Sequence, residues 1–267
     1  SRYELEDGSD VAQSTFARAL DFFSTADVSL VAMPGDISSD GEKEAFETFN
    51  RISSQYDFPV YTTTGNHDLH AKYEKENWLE FMNPSAYGEE KAEGILNVAE
   101  NGMDFVYEEK ESGDIFIFLN QTSNNYGLLW NALLTDAQLD WLEAQLEKHS
   151  DKTVYLFFHT FLNSANGNPF MGAGNLQNKL GWSYPLFYTQ GASDEIRLRN
   201  LLREYDNVFF FKAIVNLSVA IHRLRGEKSN IRMEILHHFF CVMPHEYRTV
   251  YLLYIAARGI GCDMVLG

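Results

Sequence analysis

Residues 59–68 read Pro59-Val60-Tyr61-Thr62-Thr63-Thr64-Gly65-Asn66-His67-Asp68. The run up to Thr64 is largely apolar or β-branched and suits a strand, which Gly65 ends. Upstream, Phe46, Phe49 and Ile52 recur on one face of a helix expected over 41–54. Before that helix lies a short apolar run, Val28 to Met33, closed by Pro34-Gly35 and read as a buried strand. Strand, helix and strand in this order make a βαβ unit, whose crossover in a parallel sheet is right-handed.

Working outward, Asp10 is placed to cap a helix carrying Ala12, Phe16, Leu20 and Phe23 at helical spacing. Downstream come a helix around Trp78 and a meander of Phe105-Val106-Tyr107 and Ile115 to Leu119. Thr135 and Gln138 have the spacing of a capping box, followed by Leu139, Leu142 and Leu146 at helical period. Val154 to Phe158 is a strand running into His159. A Gly- and Asn-rich loop over 163–192 precedes a helix capped by Ser193, with Leu198, Leu201 and Leu202 inward, and then a strand from Val208 to Phe211. Strands alternate with helices, so the fold class is α/β with layered packing.

Composition narrows the function. The chain has 267 residues, 45% of them hydrophobic, enough for a sizeable core and against a disordered or fibrous chain. Its net charge of −17 argues against a nucleic-acid partner bound by neutralising many phosphates. A phosphate-handling enzyme stays open, because a bound metal supplies positive charge locally. The sequence has no apolar run of eighteen residues, so no membrane-spanning helix is expected. Cys241 and Cys262 are too few for a disulfide scaffold, and neither a cytoplasmic nor a secreted location is read from the chain. Residues 1–212 hold 15 basic against 34 acidic side chains, whereas residues 213–267 hold 6 against 4. The expected division is therefore a domain over 1–212 and a segment over 213–267 of different character. That segment is either a distinct part of the fold or sequence read out of frame.

In open α/β sheets, ligands collect at the carboxyl ends of strands. Three strands here end in residues that chelate metals: Gly35-Asp36, Gly65-Asn66-His67-Asp68, and His159. A carboxylate can bridge two cations, and an amide oxygen and an imidazole suit Mn, Fe or Zn. Glycines before Asp36 and Asn66 permit tight turns and close backbone approach to an anion. Other candidates have plainer readings. Asp40 is a loop residue beside the site, His70 a solvated loop histidine, and His149 a helix-end cation favoured by the dipole. Trp78, Trp130 and Trp141 are packing residues. Asn163, Asn166, Trp182 and Tyr184 sit in a loop of the kind that lines substrate pockets. His237, His238, Cys241 and His245 match no zinc spacing.

Gly35-Asp36 with Asp40, then Gly65-Asn66-His67-Asp68, then a strand ending in His159 resembles the calcineurin-like metallophosphoesterase superfamily, over roughly residues 10–212. The resemblance implies a layered αββα sandwich and hydrolysis of a phosphomonoester or phosphodiester by a metal-activated hydroxide. Two divalent ions (Mn, Fe or Zn) and a small phosphorylated substrate go with it. By similarity, Asp36 bridges the two metals, and Asn66 and His159 bind the second. His67 stands at the leaving-group oxygen, and Asp68 orients its ring. Two family motifs are not found. No Asp-x-His precedes residue 10, so the chain is expected to begin after the family's first strand. Lys212-Ala213-Ile214-Val215-Asn216 stands where the family has Gly-His-x-His. The alternative is a catalytically inactive relative that keeps the fold to bind a ligand or partner.

Overall fold

The computed structural model describes residues 11–26, 28–69, 75–84, 92–122, 133–160, 193–212, 217–223 and 231–237. In chain order its elements are α1 (Val11–Ser24), β1 (Val28–Pro34), α2 (Lys43–Ser53), β2 (Val60–Thr63), α3 (Glu76–Phe81), β3 (Ile95–Val98), β4 (Phe105–Glu108) and β5 (Ile115–Phe118). There follow α4 (Asp136–Lys148), β6 (Val154–Phe158), α5 (Ser193–Glu204), β7 (Val208–Lys212), β8 (Leu217–Arg223) and β9 (Ile231–His237). The chain divides into two units. One holds Ser1–Met33, Glu44–Tyr61 and Val215–Gly267, the other Pro34–Lys43 and Thr62–Ile214.

In the first unit, β1 hydrogen-bonds to β2, and the full sheet order is β2-β1-β8-β9. Phe16 of α1 stacks on Phe49 of α2 with ring centroids 5.1 Å apart. β8 and β9 come from the C-terminal segment, which no sequence pattern assigned to strands. They pair antiparallel, and β8 lies antiparallel to β1 with Val31 opposite Ala220.

The second unit is built on a sheet of order β3-β4-β5-β6-β7. Its first two pairings are antiparallel and its last two parallel. A period of two sorts its side chains by face. Val106, Ile115, Ile117, Val154, Leu156 and Phe158 form one core with Leu139, Leu142 and Leu146 of α4 and Leu198 and Leu201 of α5. The other face carries two aromatic rows. Phe105, Phe118, Phe157 and Phe211 stack at 4.6, 5.1 and 5.1 Å between successive ring centroids. Tyr107, Phe116, Tyr155 and Phe209 follow at 6.2, 4.9 and 5.6 Å. Offset ring pairs in this range add attraction beyond the area they bury.

The expected helix start at Thr135 is found in full. The Thr135 hydroxyl accepts from the Gln138 backbone, and the Gln138 side chain accepts from the Thr135 N–H. Asp194 in the first turn of α5 accepts the backbone N–H groups of Leu133 and Leu134 at 2.9 and 3.1 Å, joining the two helix starts. β3 escaped the sequence reading because it is a sheet edge whose Leu96 and Val98 are both 43% exposed. His149 caps the end of α4, but not as the expected cation. It is buried, and burial together with Lys148 and Lys152 holds its imidazole pKa below the usual value.

Candidate active site

Strand β1 ends in a turn that proteins use sparingly. Gly35 has φ of 89° and Asp36 a φ of 58°, the left-handed region in which a non-glycine residue costs about 1 kcal/mol. Such a conformation persists only when its surroundings fix it. Here they do. The Asp36 N–H donates to Asp68 Oδ2 at 2.8 Å, and Asp36 Oδ1 accepts the His67 N–H at 3.1 Å. Both glycines are required by crowding. A Cβ on Gly35 would lie 2.4 Å from His159 Nδ1, and one on Gly65 would lie 2.1 Å from Asp36 Oδ1.

Asp68 is completely buried, and its carboxylate faces hydrogen-bond donors. Oδ2 accepts from the backbone of Asp36 and of Gly65, and Oδ1 from the backbone and hydroxyl of Ser38, each at 2.8 Å. Burial, and then the nearby Asp36 charge, push its pKa up, while these donors pull it down. The expected part of Asp68 was to orient the His67 ring; its oxygens are occupied by these four donors, and the Ser39 carbonyl lies 2.9 Å from His67 Nδ1. Neighbours in sequence point to different places because Asp68 is turned inward while His67 stays partly exposed.

The three expected metal-binding residues do converge. His159 Nδ1 lies 2.7 Å from the Pro34 carbonyl, which only accepts, so Nδ1 carries the proton and the neutral ring offers a lone pair at Nε2. Nε2 stands 3.1 Å from Asn66 Oδ1 and 3.4 Å from Asp36 Oδ2. With the neutral ring, three lone-pair atoms of one nitrogen and two oxygens face one another. A divalent cation, a second proton on the ring, or a turn of the Asn66 amide that brings its NH₂ to Nε2 relieves that repulsion. One imidazole, one amide oxygen and one carboxylate suit Mn, Fe or Zn, and three protein ligands leave positions open. The donor set therefore fits one cation. Among the described residues no group of three or more His, Cys, Asp or Glu side chains gathers, so donors for a second are not seen there.

Asp40 is exposed, as expected for a loop residue. His70, Asn163, Asn166, Trp182 and Tyr184, and the Cys241 and His245 pattern, lie outside the described residues. Sequence reasoning missed the polar residues behind the site. Thr64 donates through its N–H to Asn120 Oδ1 and through its hydroxyl to the Gln121 carbonyl, both at 2.8 Å. The Thr160 hydroxyl donates to Gln121 Oε1 at 2.7 Å. The one signal available was a pair of uncharged polar residues, Asn120-Gln121, directly beyond an apolar strand.

The family model described as calcineurin-like phosphoesterase matches residues 10–188. A protein of Arcobacter nitrofigilis named as a probable glycerophosphodiester phosphodiesterase, GpdQ, is 29% identical over 134 residues. That match takes in 49% of this chain and 41% of the relative, so the chain spans less than half the length of the protein it resembles. Among solved structures, a dimetal phosphatase from Danio rerio superposes with a TM-score of 0.52 at 12% identity, covering 88% of this chain and 90% of that one. At that identity the likeness is one of fold, and it agrees with the α/β class read from the sequence.

Proposed function

Because this chain belongs to the calcineurin-like phosphoesterase family, we propose that it hydrolyses a small phosphorylated substrate, a phosphodiester or a phosphomonoester, in a metal-dependent reaction. The observation that carries this reading is the meeting of His159 Nε2, Asn66 Oδ1 and Asp36 Oδ2 beside a histidine whose other nitrogen is already committed to Pro34. Asp36, Asn66 and His159 would hold the cation. When bound, a divalent ion supplies Lewis acidity at a phosphoryl oxygen and makes a coordinated water acidic enough to attack at neutral pH.

The remaining roles belong to the chain itself. Asp36, locked in its left-handed turn, presents Oδ2 toward His159 while Oδ1 stays with the His67 N–H. The Ser39 carbonyl, which only accepts, holds the proton of His67 on Nδ1 and so orients the ring, with Nε2 left as the nitrogen that would face a departing oxygen. A diester is favoured over a monoester by the name of the Arcobacter nitrofigilis relative. The net charge of −17 disfavours long polyanions such as nucleic acid.

The test is to load the protein with Mn²⁺, desalt it, count ions per chain by mass spectrometry, and assay bis(p-nitrophenyl) phosphate beside p-nitrophenyl phosphate. At least one retained ion and Mn²⁺-dependent hydrolysis, faster for the diester, are expected. No retained ion and no hydrolysis would overturn the reading and favour an inactive relative that binds without turnover.

A further inference from the structure

We propose that Asn120 and Gln121 are positioning residues of this centre, holding the strand ends that deliver Asn66 and His159 at a fixed separation. The inference rests on the reading of Asp36, Asn66 and His159 as the metal-binding group and extends it to residues with no assigned part.

The two ligand-bearing segments come from different places in the chain. Asn66 follows β2 by way of Thr64 and Gly65, and His159 closes β6 just before Thr160. Both flanking threonines are buried, and both are tied to the same dipeptide. Asn120 Oδ1 takes the Thr64 N–H, the Gln121 carbonyl takes the Thr64 hydroxyl, and Gln121 Oε1 takes the Thr160 hydroxyl. Asn120 is exposed by 0%, Gln121 by 1%, Thr64 by 0% and Thr160 by 4%, so water does not compete for these bonds.

The dipeptide is itself held from behind. The Asn120 N–H donates to Asp104 Oδ1 at 2.7 Å, and its side-chain amide donates to the Met103 carbonyl at 2.7 Å. Gln138, the capping-box residue of α4, donates to Asp104 Oδ2 and to the Asn120 carbonyl, both at 2.8 Å. The chain of bonds thus runs from the start of α4 through Asp104 and Asn120 to the residue that precedes Gly65-Asn66. Partners behind metal ligands set ligand geometry, and their loss costs metal affinity without touching the ion.

Mn²⁺ affinity by calorimetry and melting temperature are measured in the wild-type protein, Thr160→Val, Thr160→Ser and the double variant Thr160→Val with Gln121→Leu. Thr160→Val is expected to weaken Mn²⁺ binding by about tenfold, and Thr160→Ser to restore it. The double variant also removes the Gln121 Oε1 that Thr160→Val leaves without the Thr160 hydroxyl, so its melting temperature rises toward wild type while its affinity does not. Affinity that follows melting temperature through the series, or that stays within about twofold of wild type in Thr160→Val, overturns the inference. A metal-free readout separates this from failure of the underlying reading. Imidazole ¹⁵N resonances of His159 should shift in Thr160→Val and return in Thr160→Ser even if the wild-type protein binds no Mn²⁺. Unmoved resonances overturn the inference.

Discussion

Asp68 Oδ2 accepts the backbone N–H of Asp36 across 32 residues of chain, at 2.8 Å, and accepts that of Gly65 through the same atom. One buried carboxylate oxygen thereby joins the turns that carry two of the three candidate ligands. An asparagine there has one oxygen for two pairs of donors and must turn its NH₂ toward one pair. Asp68→Asn is expected to lose about 3 kcal/mol of stability in urea denaturation, the cost of stranding buried donors. Retained stability with slower turnover alone would instead return Asp68 to the role of orienting His67.

Crowding at Gly65 leads to a second prediction. A Cβ there would stand 2.1 Å from Asp36 Oδ1 and 2.4 Å from Asp36 N, and the second of these is backbone that cannot swing aside. Gly65→Ala should lower both the melting temperature and Mn²⁺ retention. Gly113 is the control. Unlike Gly65 it has a positive φ, 75°, and a Cβ there meets its nearest atom only at 3.9 Å. Gly113→Ala should cost only the backbone strain, about 1 kcal/mol, with Mn²⁺ retention unchanged.

Removing ligands one at a time separates binding from chemistry. Asn66→Ala and His159→Ala should each abolish most Mn²⁺ retention by mass spectrometry. His67→Ala should keep the metal and slow turnover by about a hundredfold, the usual weight of a proton donor. Metal retained in both ligand variants would dismiss the site.

What the sequence made legible, and what it hid, follows one physical divide. The strands β4 to β7 were readable because alternation of Phe and Tyr with Ile, Leu and Val reports two differently packed faces. The three strand-end motifs were readable because glycines and chelating residues follow apolar runs directly. The donors around Asp68 were not legible because they come from Asp36 and Ser38, about thirty residues upstream, as well as from Gly65. Asn120 and Gln121 stayed hidden because their partners, Thr64 and Thr160, lie 56 and 39 residues away and no local pattern announces such bonds. The edge strand β3 stayed hidden because its burial alternates while its hydropathy does not, the exposed positions being Leu96 and Val98.

Acid should find a weak point at His149. Its folded-state pKa is lowered, so the folded protein resists protonation while the unfolded chain takes up a proton below about pH 6.5. The unfolded state then binds more protons, and stability falls as pH drops through that value. His149→Gln should flatten this decline in denaturation curves between about pH 7 and pH 5, leaving the neutral plateau nearly unchanged. An equal slope in both proteins would show that other groups cause the decline.

The aromatic rows of the five-stranded sheet also constrain how the protein is made. Tyr155 and Phe157 of β6 find Phe209 and Phe211 only when β7 arrives, with Val154 opposite Val208. During synthesis at 5–20 residues per second, β6 would leave the ribosome with one edge open and two large rings uncovered on that side for roughly three to ten seconds. An open strand edge beside bare aromatic rings is the surface on which nascent chains pair with one another. The ladder that rigidifies the finished sheet is thus an aggregation hazard while the polypeptide is being translated. Yield at high expression should depend on translation speed between residues 158 and 212 more than on any residue of the site.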